Sequence, residues 1–459
     1  MVSAHLPGTV ARLRSHYDSG RTKPVPWRLA QLKGLERLLK ESGDELVDAL
    51  REDLGRAAPE SLLAEIDFVA AEARRIRGHL RSWLRPKRVH TPPHLQPGRS
   101  YLLREPLGLV LVIGPFNYPV QLTLAPLAGA LACGNAVIVK PSESSAATSA
   151  TLARLLGEYL DPDAVAVVEG GAETTTALLS ERMDHIFFTG SANVGRIVAK
   201  AAAEHLTPVT LELGGKSPAI VEPGVDLAVA ARRIAWAKFM NAGQTCVAPD
   251  YVIALDGVGP ELERHLAEAV REMYGQSPAD SADYARIVDE RSFDRLAALM
   301  STGRLVCGGG QNRETRYLAP TVLADVDAKD PVMAEEVFGP ILPIMAADTL
   351  DEAIAHVNAG EKPLALYAFT NSEATRRKLL TRTSSGAVGF NVPMAHLDVP
   401  GLPFGGVGAS GMGAYHGKWS IETFSHAKAV LDKPLAPDTL QVIYPPFTSV
   451  KEKIMRRLR

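Results

Sequence analysis

The sequence predicts an α/β protein whose main sheet is parallel and is covered by helices on both faces. Three observations lead to this prediction. Between residues 109 and 213, short apolar runs alternate with longer helical stretches. The runs are apolar enough for strands that are buried on both faces. A second α/β pattern follows from about Gly214 to Val407.

The chain before this sheet is predicted to be helical over residues 28–85, because leucines recur there at helical spacing. One face carries Leu29, Leu32, Leu35, Leu38 and Leu39. A proline-rich connector follows at residues 85–98, and its prolines exclude the helix that would align His90 with His94 for a metal. Residues 99–104 are predicted to be one arm of a hairpin.

Nine elements are predicted for the main sheet. The strands are Leu109–Ile113, Ala136–Val139, Val165–Val168, His185–Phe188 and Val209–Leu213. The helices are Val120–Cys133, Ser144–Tyr159, Glu173–Met183 and Asn193–His205. Later elements are the strands Ala219–Val221, Tyr251–Leu255 and Ala429–Leu431 and the helix Asp226–Met240. Because parallel sheets bind ligands beyond the carboxyl ends of their strands, functional residues are expected at those ends.

Composition excludes several classes of function. The chain has 459 residues, with 50 Lys and Arg against 52 Asp and Glu, so no basic field attracts nucleic acid. Three cysteines cannot form a disulfide framework, which indicates a reducing compartment. The most apolar stretch, residues 107–132, is interrupted by prolines, and the N-terminus lacks the core of a signal peptide. We therefore expect a soluble, cytoplasmic protein with no integral membrane segment. Its basic tail at residues 451–459 is expected to be a solvated end, and weak contact with anionic lipid is the alternative.

The first two strand ends carry polar groups. Asn117 lies between prolines and aromatic residues, so its amide can donate to an oxyanion, although a turn residue is the simpler interpretation. Lys140 and Glu143 follow the second strand, where they can bind ribose hydroxyls. A helix start capped by Ser142 also explains this pair, and the two interpretations are compatible.

The next two strand ends carry glycines and a carboxylate. Gly190 and Gly195 let the backbone approach a pyrophosphate at a helix N-terminus, although their spacing is not that of G-x-G-x-x-G. Glu212 is flanked by leucines, and a buried carboxyl has the raised pKa that suits a general base. A Glu on the exposed face of the strand, paired with Lys216, is the alternative.

Of the three cysteines, only Cys246 is a candidate nucleophile. It follows N-A-G-Q-T on a predicted loop among small and polar residues. Cys133 and Cys307 have the apolar neighbours that are typical of cysteines in a core. No set of Cys and His has metal-ligand spacing, so no metal site is predicted.

Taken together, seven segments resemble the aldehyde dehydrogenase superfamily. In chain order they are PFNYP, KPSE, FTGSANVG, LELGGKSP, NAGQTC, EEVFGP and PFGGVGASGMG. They span about residues 20–435, and GMGAYHGKWSIETFSH with the short N-terminus resembles the class 3 branch, which handles fatty and aromatic aldehydes. The resemblance implies a Rossmann-type cofactor domain with a parallel sheet, an α/β catalytic domain and a β-hairpin oligomerisation arm.

The resemblance also implies how the chain is divided. We expect the cofactor domain at residues 1–88 and 110–213 and the catalytic domain at residues 214–408. The arm and the C-terminal tail are expected at residues 89–109 and 409–459. Relatives of class 3 are typically homodimers, so a homodimer is expected.

Each candidate residue receives a role from the resemblance. Cys246 is the implied thiolate nucleophile, Glu212 the general base, and Asn117 with the Cys246 backbone N–H the oxyanion hole. The implied cofactor contacts are Lys140 and Glu143 for the adenine ribose, Gly190, Ser191 and Gly195 for the pyrophosphate, and Glu336 and Phe338 for the nicotinamide ribose and ring. NAD is the expected cofactor and NADP a possible one, because Glu143 repels a 2′-phosphate that Lys140 attracts.

The implied reaction is NAD(P)-dependent oxidation of an aldehyde, of medium or long chain or aromatic, to the carboxylic acid. One alternative is an acylating dehydrogenase that passes the thioester to coenzyme A or phosphate, but such relatives generally lack the glutamate base. Another is a non-catalytic binding or structural protein of the same fold. That protein would be expected to lack Cys246 or Glu212.

Overall fold

The computed structural model describes residues 2–457, and the side chains of residues 6–456. Met1, in the predicted cofactor domain, and Leu458 and Arg459, in the predicted tail, lie outside the described residues. The helices are α1 (Val2–Asp18), α2 (Val25–Glu41), α3 (Gly43–Leu54), α4 (Ala58–Ser61), α5 (Asp67–Trp83), α6 (Gln121–Cys133), α7 (Ala146–Tyr159), α8 (Ala172–Ser180), α9 (Ala192–Glu204), α10 (Leu227–Phe239), α11 (Gly259–Tyr274), α12 (Glu290–Leu299), α13 (Pro331–Ala334), α14 (Leu350–Ala359), α15 (Glu373–Arg382), α16 (Lys418–Thr423) and α17 (Ser449–Arg457).

The strands follow the same chain order. They are β1 (Lys87–Val89), β2 (Arg99–Pro106), β3 (Leu109–Ile113), β4 (Ala136–Lys140), β5 (Val165–Val167), β6 (His185–Thr189), β7 (Val209–Glu212), β8 (Pro218–Val221), β9 (Tyr251–Leu255), β10 (Arg304–Cys307), β11 (Gln311–Asn312), β12 (Tyr317–Leu318), β13 (Thr321–Ala324), β14 (Ile341–Ala347), β15 (Ala365–Phe369), β16 (Ala387–Phe390), β17 (Gly411–Met412) and β18 (Ser425–Asp432). Two short helical turns matter for function, a π-helical turn at Leu62–Ile66 and a 3₁₀ turn at Met240–Gly243.

The first sheet has the strand order β17-β7-β6-β3-β4-β5. Strands β3 to β7 are parallel, and β17 is antiparallel to β7 at the edge. Successive residues of β3 enter opposite apolar clusters, Val110 and Val112 with α2, α5 and α6, and Leu109 and Leu111 with α1, α8 and α9. Helices therefore cover both faces of this sheet, as predicted.

The second sheet has the order β10-β13-β14-β9-β8-β15-β16 and is parallel except for β10. It is joined to the first sheet by the short connection between β7 and β8. The segment between α10 and β9 lies beside this connection, since the Asp250 N–H donates to the Ser217 carbonyl oxygen at 2.7 Å. The junction of the two sheets therefore brings the residues around Glu212 and Cys246 into one region.

The third sheet is antiparallel, with the order β1-β2-β18. The predicted hairpin arm at residues 99–104 is confirmed as part of β2. The predicted strand Ala429–Leu431 extends to Ser425–Asp432, because β18 pairs with β2 along its whole length. Strand β1 lies in the segment predicted as a connector. Its three residues are exposed, so it has no apolar pattern that would have revealed it.

The predicted helices are present, with two corrections at their ends. Helix α8 ends at Ser180 and not at Met183. Helix α7 begins at Ala146, and Ser142 does not cap it. Asp53, at the end of α3, accepts the Ala147 N–H at 3.0 Å and the Thr148 N–H at 2.8 Å. A carboxylate from another helix therefore satisfies the free N–H groups of α7.

The apolar stretch of residues 107–132 ends in α6, whose residues are all buried in the protein interior. Packing against α2 and α5 accounts for its composition. Across residues 2–457, no helix has the length and hydropathy needed to cross a membrane. On the other helical face singled out from the sequence, Leu32, Leu35, Leu38 and Leu39 are buried and Leu29 is half-buried.

Candidate active site

Cys246 is half-buried and follows a sharp turn at the end of α10. Asn241 and Ala242 have φ angles of 52° and 50°, in the left-handed region that disfavours residues with a Cβ atom. Gly243 follows with a φ of 75°, and a Cβ atom there would collide with the Gly339 carbonyl oxygen. The tertiary structure must hold this turn, because its backbone conformation is unfavourable by itself.

Two amide side chains hold the turn. The Gln244 amide nitrogen donates to the Asn241 and Arg286 carbonyl oxygens, both at 3.0 Å. Its amide oxygen accepts the Val288 N–H at 2.9 Å. The Asn241 amide in turn donates to the Gln244 carbonyl oxygen at 3.1 Å. The segment before Cys246 is therefore fixed by side chains from its own motif.

Asn117 belongs to this same cluster, because it lies beside the turn and is only 3% exposed. Its side-chain nitrogen donates to the Gln244 carbonyl oxygen at 3.0 Å, which fixes the orientation of the amide. An amide nitrogen has two N–H groups, so one remains for a ligand. The Asn117 carbonyl oxygen accepts the Asn241 amide at 2.9 Å. A simple turn residue would need none of these contacts with the segment that carries Cys246.

Glu212 ends β7, between β6 on one side and β17 on the other. It is only 2% exposed, and burial raises the pKa of its carboxyl well above the usual value. Within the part of the chain that the structure describes, neither carboxyl oxygen has a hydrogen-bond partner. The alternative of an exposed Glu212 paired with Lys216 is wrong. The Lys216 ammonium instead donates to Asp250 at 2.5 Å.

The charges of two carboxyls, Glu336 and Glu212, affect the pKa of the Cys246 thiol. Burial first, then the charges of Glu336 and Glu212, raise the pKa of this thiol. Tyr415 is also close to this pair, since Glu212 and Cys246 both contribute, after burial, to the raised pKa of its hydroxyl. The raised pKa favours the thiol form of Cys246, so a base that accepts its proton assists its attack on a substrate.

Glu336 follows α13 and is held against the segment after Glu212. A Cβ atom on Gly214 would collide with its carboxyl, and the Gly215 N–H donates to it. Burial first, then the charge of Asp250, raise the pKa of Glu336 to about 8. Phe338 has a φ of 48°, and its ring lies 5.8 Å from the Phe116 ring in an edge-to-face arrangement.

Asp250 connects the Glu336 loop to the second sheet. Its carboxylate accepts the Val337 N–H at 2.9 Å as well as the Lys216 ammonium. Lys216 also donates to the carbonyl oxygens of Val332 (2.9 Å) and Glu335 (3.0 Å). Lys238 lies 3.9 Å from Asp250, and burial lowers the pKa of its ammonium to about 8. These contacts hold the loop on both sides of Glu336.

Lys140 and Glu143 are paired at the end of β4. The Lys140 side chain is 3% exposed and its ammonium donates to the Glu143 carboxylate at 2.6 Å. The Glu143 side chain is 51% exposed and therefore accessible to a ligand. Partial burial raises the pKa of Glu143, but the hydrogen bond from Lys140, a hydrogen bond from the Glu143 backbone and the Lys140 charge together outweigh it, and the net shift is downward.

The turn from β6 to α9 carries the three predicted pyrophosphate residues. Ser191 caps α9 by accepting the Val194 N–H at 3.4 Å. A Cβ atom on Gly190 would lie 2.6 Å from the Phe188 ring, and one on Gly195 would lie 2.7 Å from Leu213. Packing therefore requires both glycines, apart from any role toward an anion at this helix N-terminus.

Metal ligation has no candidate in the described chain, since no group of three or more His, Cys, Asp or Glu side chains in it is placed to hold an ion. Cys133 is buried, as predicted, whereas Cys307 is half-buried on the edge strand β10.

The family model for the aldehyde dehydrogenase family matches residues 8–430. The chain belongs to the aldehyde dehydrogenase family. Aldehyde dehydrogenase family 3 member B1 of Homo sapiens is 48% identical over 442 residues, which cover 96% of this chain and 94% of that protein. The dimeric NADP-preferring aldehyde dehydrogenase of Rattus norvegicus is 47% identical, with 96% of this chain and 98% of that protein covered.

Among solved structures, the substrate-bound state of Staphylococcus aureus AldH matches with a TM-score of 0.96 and 41% identity, and 99% of each chain is covered. The predicted family and its class 3 branch are therefore confirmed. So is the aldehyde dehydrogenase fold with its Rossmann-type and catalytic parts. The activity of this aldehyde dehydrogenase is the NAD(P)-dependent oxidation of aldehydes.

Several buried residues of this site were missed by the sequence analysis. Asp250 and Lys238 hold the Glu336 loop, and Arg56 and Glu65 lie behind Asn117. Charged residues in helical or loop segments look like surface residues, so only their burial identifies them. Gln244 was visible inside the NAGQTC segment, but its hydrogen bonds depend on distant carbonyl groups.

Proposed function

We propose that this aldehyde dehydrogenase uses Cys246 as nucleophile, Glu212 as general base and Asn117 as oxyanion donor. The observation that carries the proposal is the Glu212 carboxyl, which is buried without a hydrogen-bond partner among residues 6–456 and acts on the Cys246 thiol. A buried carboxyl with a raised pKa is suited to accept a proton near neutral pH.

In the first half of the reaction, Glu212 accepts the Cys246 proton, directly or through a water molecule. The thiolate attacks the aldehyde carbonyl carbon, a C–S bond forms, and the carbonyl oxygen becomes an oxyanion. The free N–H of the Asn117 amide and the Cys246 backbone N–H stabilise that charge. A bound NAD(P)⁺ would supply the acceptor for the hydride that leaves the same carbon, so that a thioester remains on Cys246.

Before the second half, Glu212 releases to solvent the proton it accepted from Cys246. It then takes a proton from water, and the hydroxide attacks the thioester carbon. The C–S bond breaks, the carboxylic acid leaves, and the electron pair returns to the Cys246 sulfur. An acylating enzyme would transfer the thioester to another acceptor and would not need this base. The buried Glu212 therefore supports hydrolysis.

For the cofactor, we propose that Glu336 and Phe338 hold the nicotinamide ribose and ring. Gly190, Ser191 and Gly195 would line the pyrophosphate at the N-terminus of α9. The Glu336 carboxyl supports this role, because its position over Gly214 is fixed and it can accept from ribose hydroxyls.

Lys140 and Glu143 would contact the adenine ribose, and their geometry supports a preference for NAD with tolerance of NADP. The Lys140 ammonium is already paired with Glu143, so a 2′-phosphate would meet the Glu143 carboxylate. The rat relative is NADP-preferring by its name, which makes the comparison of both cofactors decisive. The ratio of kcat/KM for NAD to that for NADP is expected to exceed one and to fall in Glu143→Gln. A strong preference of the unaltered enzyme for NADP would contradict this proposal.

The substrate class we propose is that of medium- or long-chain aliphatic or aromatic aldehydes, supported by the class 3 relatives. A kinetic panel of aldehydes of increasing chain length, with benzaldehyde included, tests it. Highest kcat/KM for short aldehydes such as acetaldehyde would contradict it.

A homodimer is supported by the relatives whose names call them dimeric. In the proposed division, the arm at residues 89–109 and 409–459 contains β18, whose outer edge is unpaired in the three-stranded sheet of the described chain. Light scattering coupled to size exclusion is expected to give twice the chain mass of 49.2 kDa. A monomer over the working concentration range would contradict this assembly.

The nucleophile is tested with Cys246→Ser. The substitution is expected to abolish aldehyde oxidation, because serine has no accessible anion at neutral pH. The affinity for NAD(P)⁺, measured by fluorescence titration, is expected to remain unchanged. Retained oxidation, or a loss of cofactor affinity as large as the loss of activity, would contradict the assigned role.

A further inference from the structure

Arg56, between α3 and α4, is 0% exposed and lies behind the segment that carries Asn117. Its guanidinium donates to three different acceptors: a Glu65 carboxyl oxygen, the Asn117 carbonyl oxygen, and the Asn241 amide oxygen at 3.2 Å. It also lies over the Tyr118 ring, 4.7 Å from the ring centre. Because the N–H donors of a guanidinium lie in one fixed plane, a buried Arg that donates to three acceptors fixes the positions of those acceptors.

Glu65 ties Arg56 to the start of α6. It lies in the π-helical turn Leu62–Ile66 and is 0% exposed. Its second carboxyl oxygen accepts the Val120 N–H at 2.7 Å and the Gln121 N–H at 3.0 Å. The segment from Asn117 to Gln121 is therefore held at both ends, by Arg56 at its carbonyl and by Glu65 at its N–H groups.

The same guanidinium reaches the turn before Cys246. The Asn241 side chain accepts from Arg56 with its oxygen and donates with its nitrogen to the Asn117 carbonyl at 2.9 Å. Asn117 itself donates to the Gln244 carbonyl oxygen. The two proposed donors of the oxyanion hole are thus connected through one buried set of hydrogen bonds, in which Arg56 is the residue that contacts both segments from outside them.

We propose that Arg56 is a positioning residue for the oxyanion hole, because its hydrogen bonds to Asn117 and Asn241 fix the Asn117 amide relative to the turn that carries Cys246. The proposal rests on the oxyanion role of Asn117 and Cys246 proposed above. Arg56 touches no reacting atom. It sets the rate of the steps that form an oxyanion, and it leaves the cofactor site and the intrinsic reactivity of the thiol unchanged.

The test is Arg56→Lys, which keeps a cation for Glu65 but carries its donors on one nitrogen, whereas Arg56 contacts its three acceptors with three separate nitrogen atoms. The matched control is Arg28→Lys. Arg28 is also a buried arginine, and it donates instead to the Lys23 and Ala132 carbonyl oxygens, away from the site. Both variants are expected to lower Tm. If Arg56→Lys does not fold, Asn241→Asp, which keeps an acceptor for Arg56 but removes the donor to Asn117, takes its place.

Three measurements, the burst rate, the alkylation rate of Cys246 and the Kd for NAD(P)⁺, separate loss of positioning from loss of folding. The rate constant of the first NAD(P)H burst with benzaldehyde is expected to fall roughly ten- to a hundredfold in Arg56→Lys. Alkylation of Cys246 by iodoacetamide forms no oxyanion, so its rate is expected to stay within about twofold, as is the Kd for NAD(P)⁺. Arg28→Lys is expected to leave all three readouts within about twofold.

Two outcomes would overturn the proposal. One is a burst rate of Arg56→Lys equal to that of Arg28→Lys, and the other is an equal fall of burst and alkylation. In the Asn117→Ala background, Arg56→Lys is expected to cause a much smaller further loss, and full additivity of the two losses would also overturn it. Failure of the underlying reaction scheme is distinguishable, because Cys246→Ser would then retain the burst whatever Arg56 does.

Discussion

The two carboxyls whose charges raise the pKa of Cys246 differ in burial and in surroundings, since Glu212 is only 2% exposed and Glu336 is half-buried. Burial raises the pKa of both Glu212 and Glu336. Glu212 has no hydrogen-bond partner among the described side chains and backbone groups, whereas Glu336 accepts the Gly215 N–H and lies near Lys216 and Lys238. For these two carboxyls, burial sets the direction of the pKa shift, while the partners decide whether the group is free to exchange protons or is fixed to bind a ligand.

Both surroundings depend on one short segment. Glu212 ends β7, Gly214 leaves space for the Glu336 carboxyl, and Lys216 pairs with Asp250. The position of the free Glu212 carboxyl at the end of β7 and the space that Gly214 leaves for the fixed Glu336 carboxyl therefore come from residues two apart along the chain. Substitutions in this segment are expected to affect either proton transfer or cofactor binding, depending on which carboxyl they change.

The largest effect is expected for Glu212→Gln, which removes the free carboxyl. Turnover should fall by about 10³-fold, within the range attributed to a general base. Because Glu212 also accepts the Cys246 proton in the proposed scheme, the burst of about one NAD(P)H per active site should form more slowly, while its amplitude remains. Rapid-mixing absorbance at 340 nm measures both. Turnover close to that of the unaltered enzyme would show that Glu212 is not the base.

Gly214→Ala disturbs the fixed carboxyl instead, because the new Cβ atom would collide with Glu336. The KM for NAD(P)⁺ is expected to rise roughly tenfold or more, while iodoacetamide alkylation of Cys246 changes little. Gly157→Ala is the matched control, since a Cβ atom there meets no atom within 4 Å. An unchanged KM in Gly214→Ala would mean that Glu336 does not contact the cofactor.

Asp250→Asn tests the support of the fixed carboxyl with a smaller change. Asparagine keeps an acceptor for the Val337 N–H but presents an amide donor to Lys216. The loop of Glu336 should become less well fixed, and the KM for NAD(P)⁺ should rise by about three- to tenfold. The decay of the thioester, measured after the burst, should not change. A slower decay of the thioester with an unchanged KM for NAD(P)⁺ would mean that Asp250 supports Glu212 in hydrolysis and not Glu336 in cofactor binding.

The smallest effect is expected in stability. Because the pKa of these two carboxyls is raised in the folded protein, the folded state keeps their protons above pH 4.5, the ordinary pKa of a Glu carboxyl, where the unfolded chain has lost them. The free energy of unfolding therefore falls as pH rises from 4.5 through about 8, the pKa of Glu336. Replacing either carboxyl by Gln removes part of this decline, because the pKa of both is raised.

In calorimetry at pH 8, Glu336→Gln is therefore expected to raise Tm by about 1–3 °C and Glu212→Gln to raise it as well, with little change at pH 5. An equal rise at both pH values would place the effect in packing and not in ionisation.

Much of the fold could be predicted from the sequence, because buried parallel strands are apolar along their whole length. Strand β3 has the predicted bounds of Leu109–Ile113 and β9 those of Tyr251–Leu255. The predictions failed where the local pattern was uninformative. Strand β1 is exposed and pairs only through its backbone, and the start of α7 is set by Asp53, which is distant in the sequence.

The sequence by itself determined the chain order of the elements and the family. It also placed each candidate residue at a strand end or loop, since apolar periodicity and short motifs are local properties. Only the tertiary structure decided how those residues differ from one another. Arg56, Asp250 and Lys238 are charged residues that no local pattern distinguishes from surface residues. Their burial, and the absence of partners around Glu212 in the described chain, result from segments far apart in the sequence, because desolvation and hydrogen bonding depend on all neighbours in space.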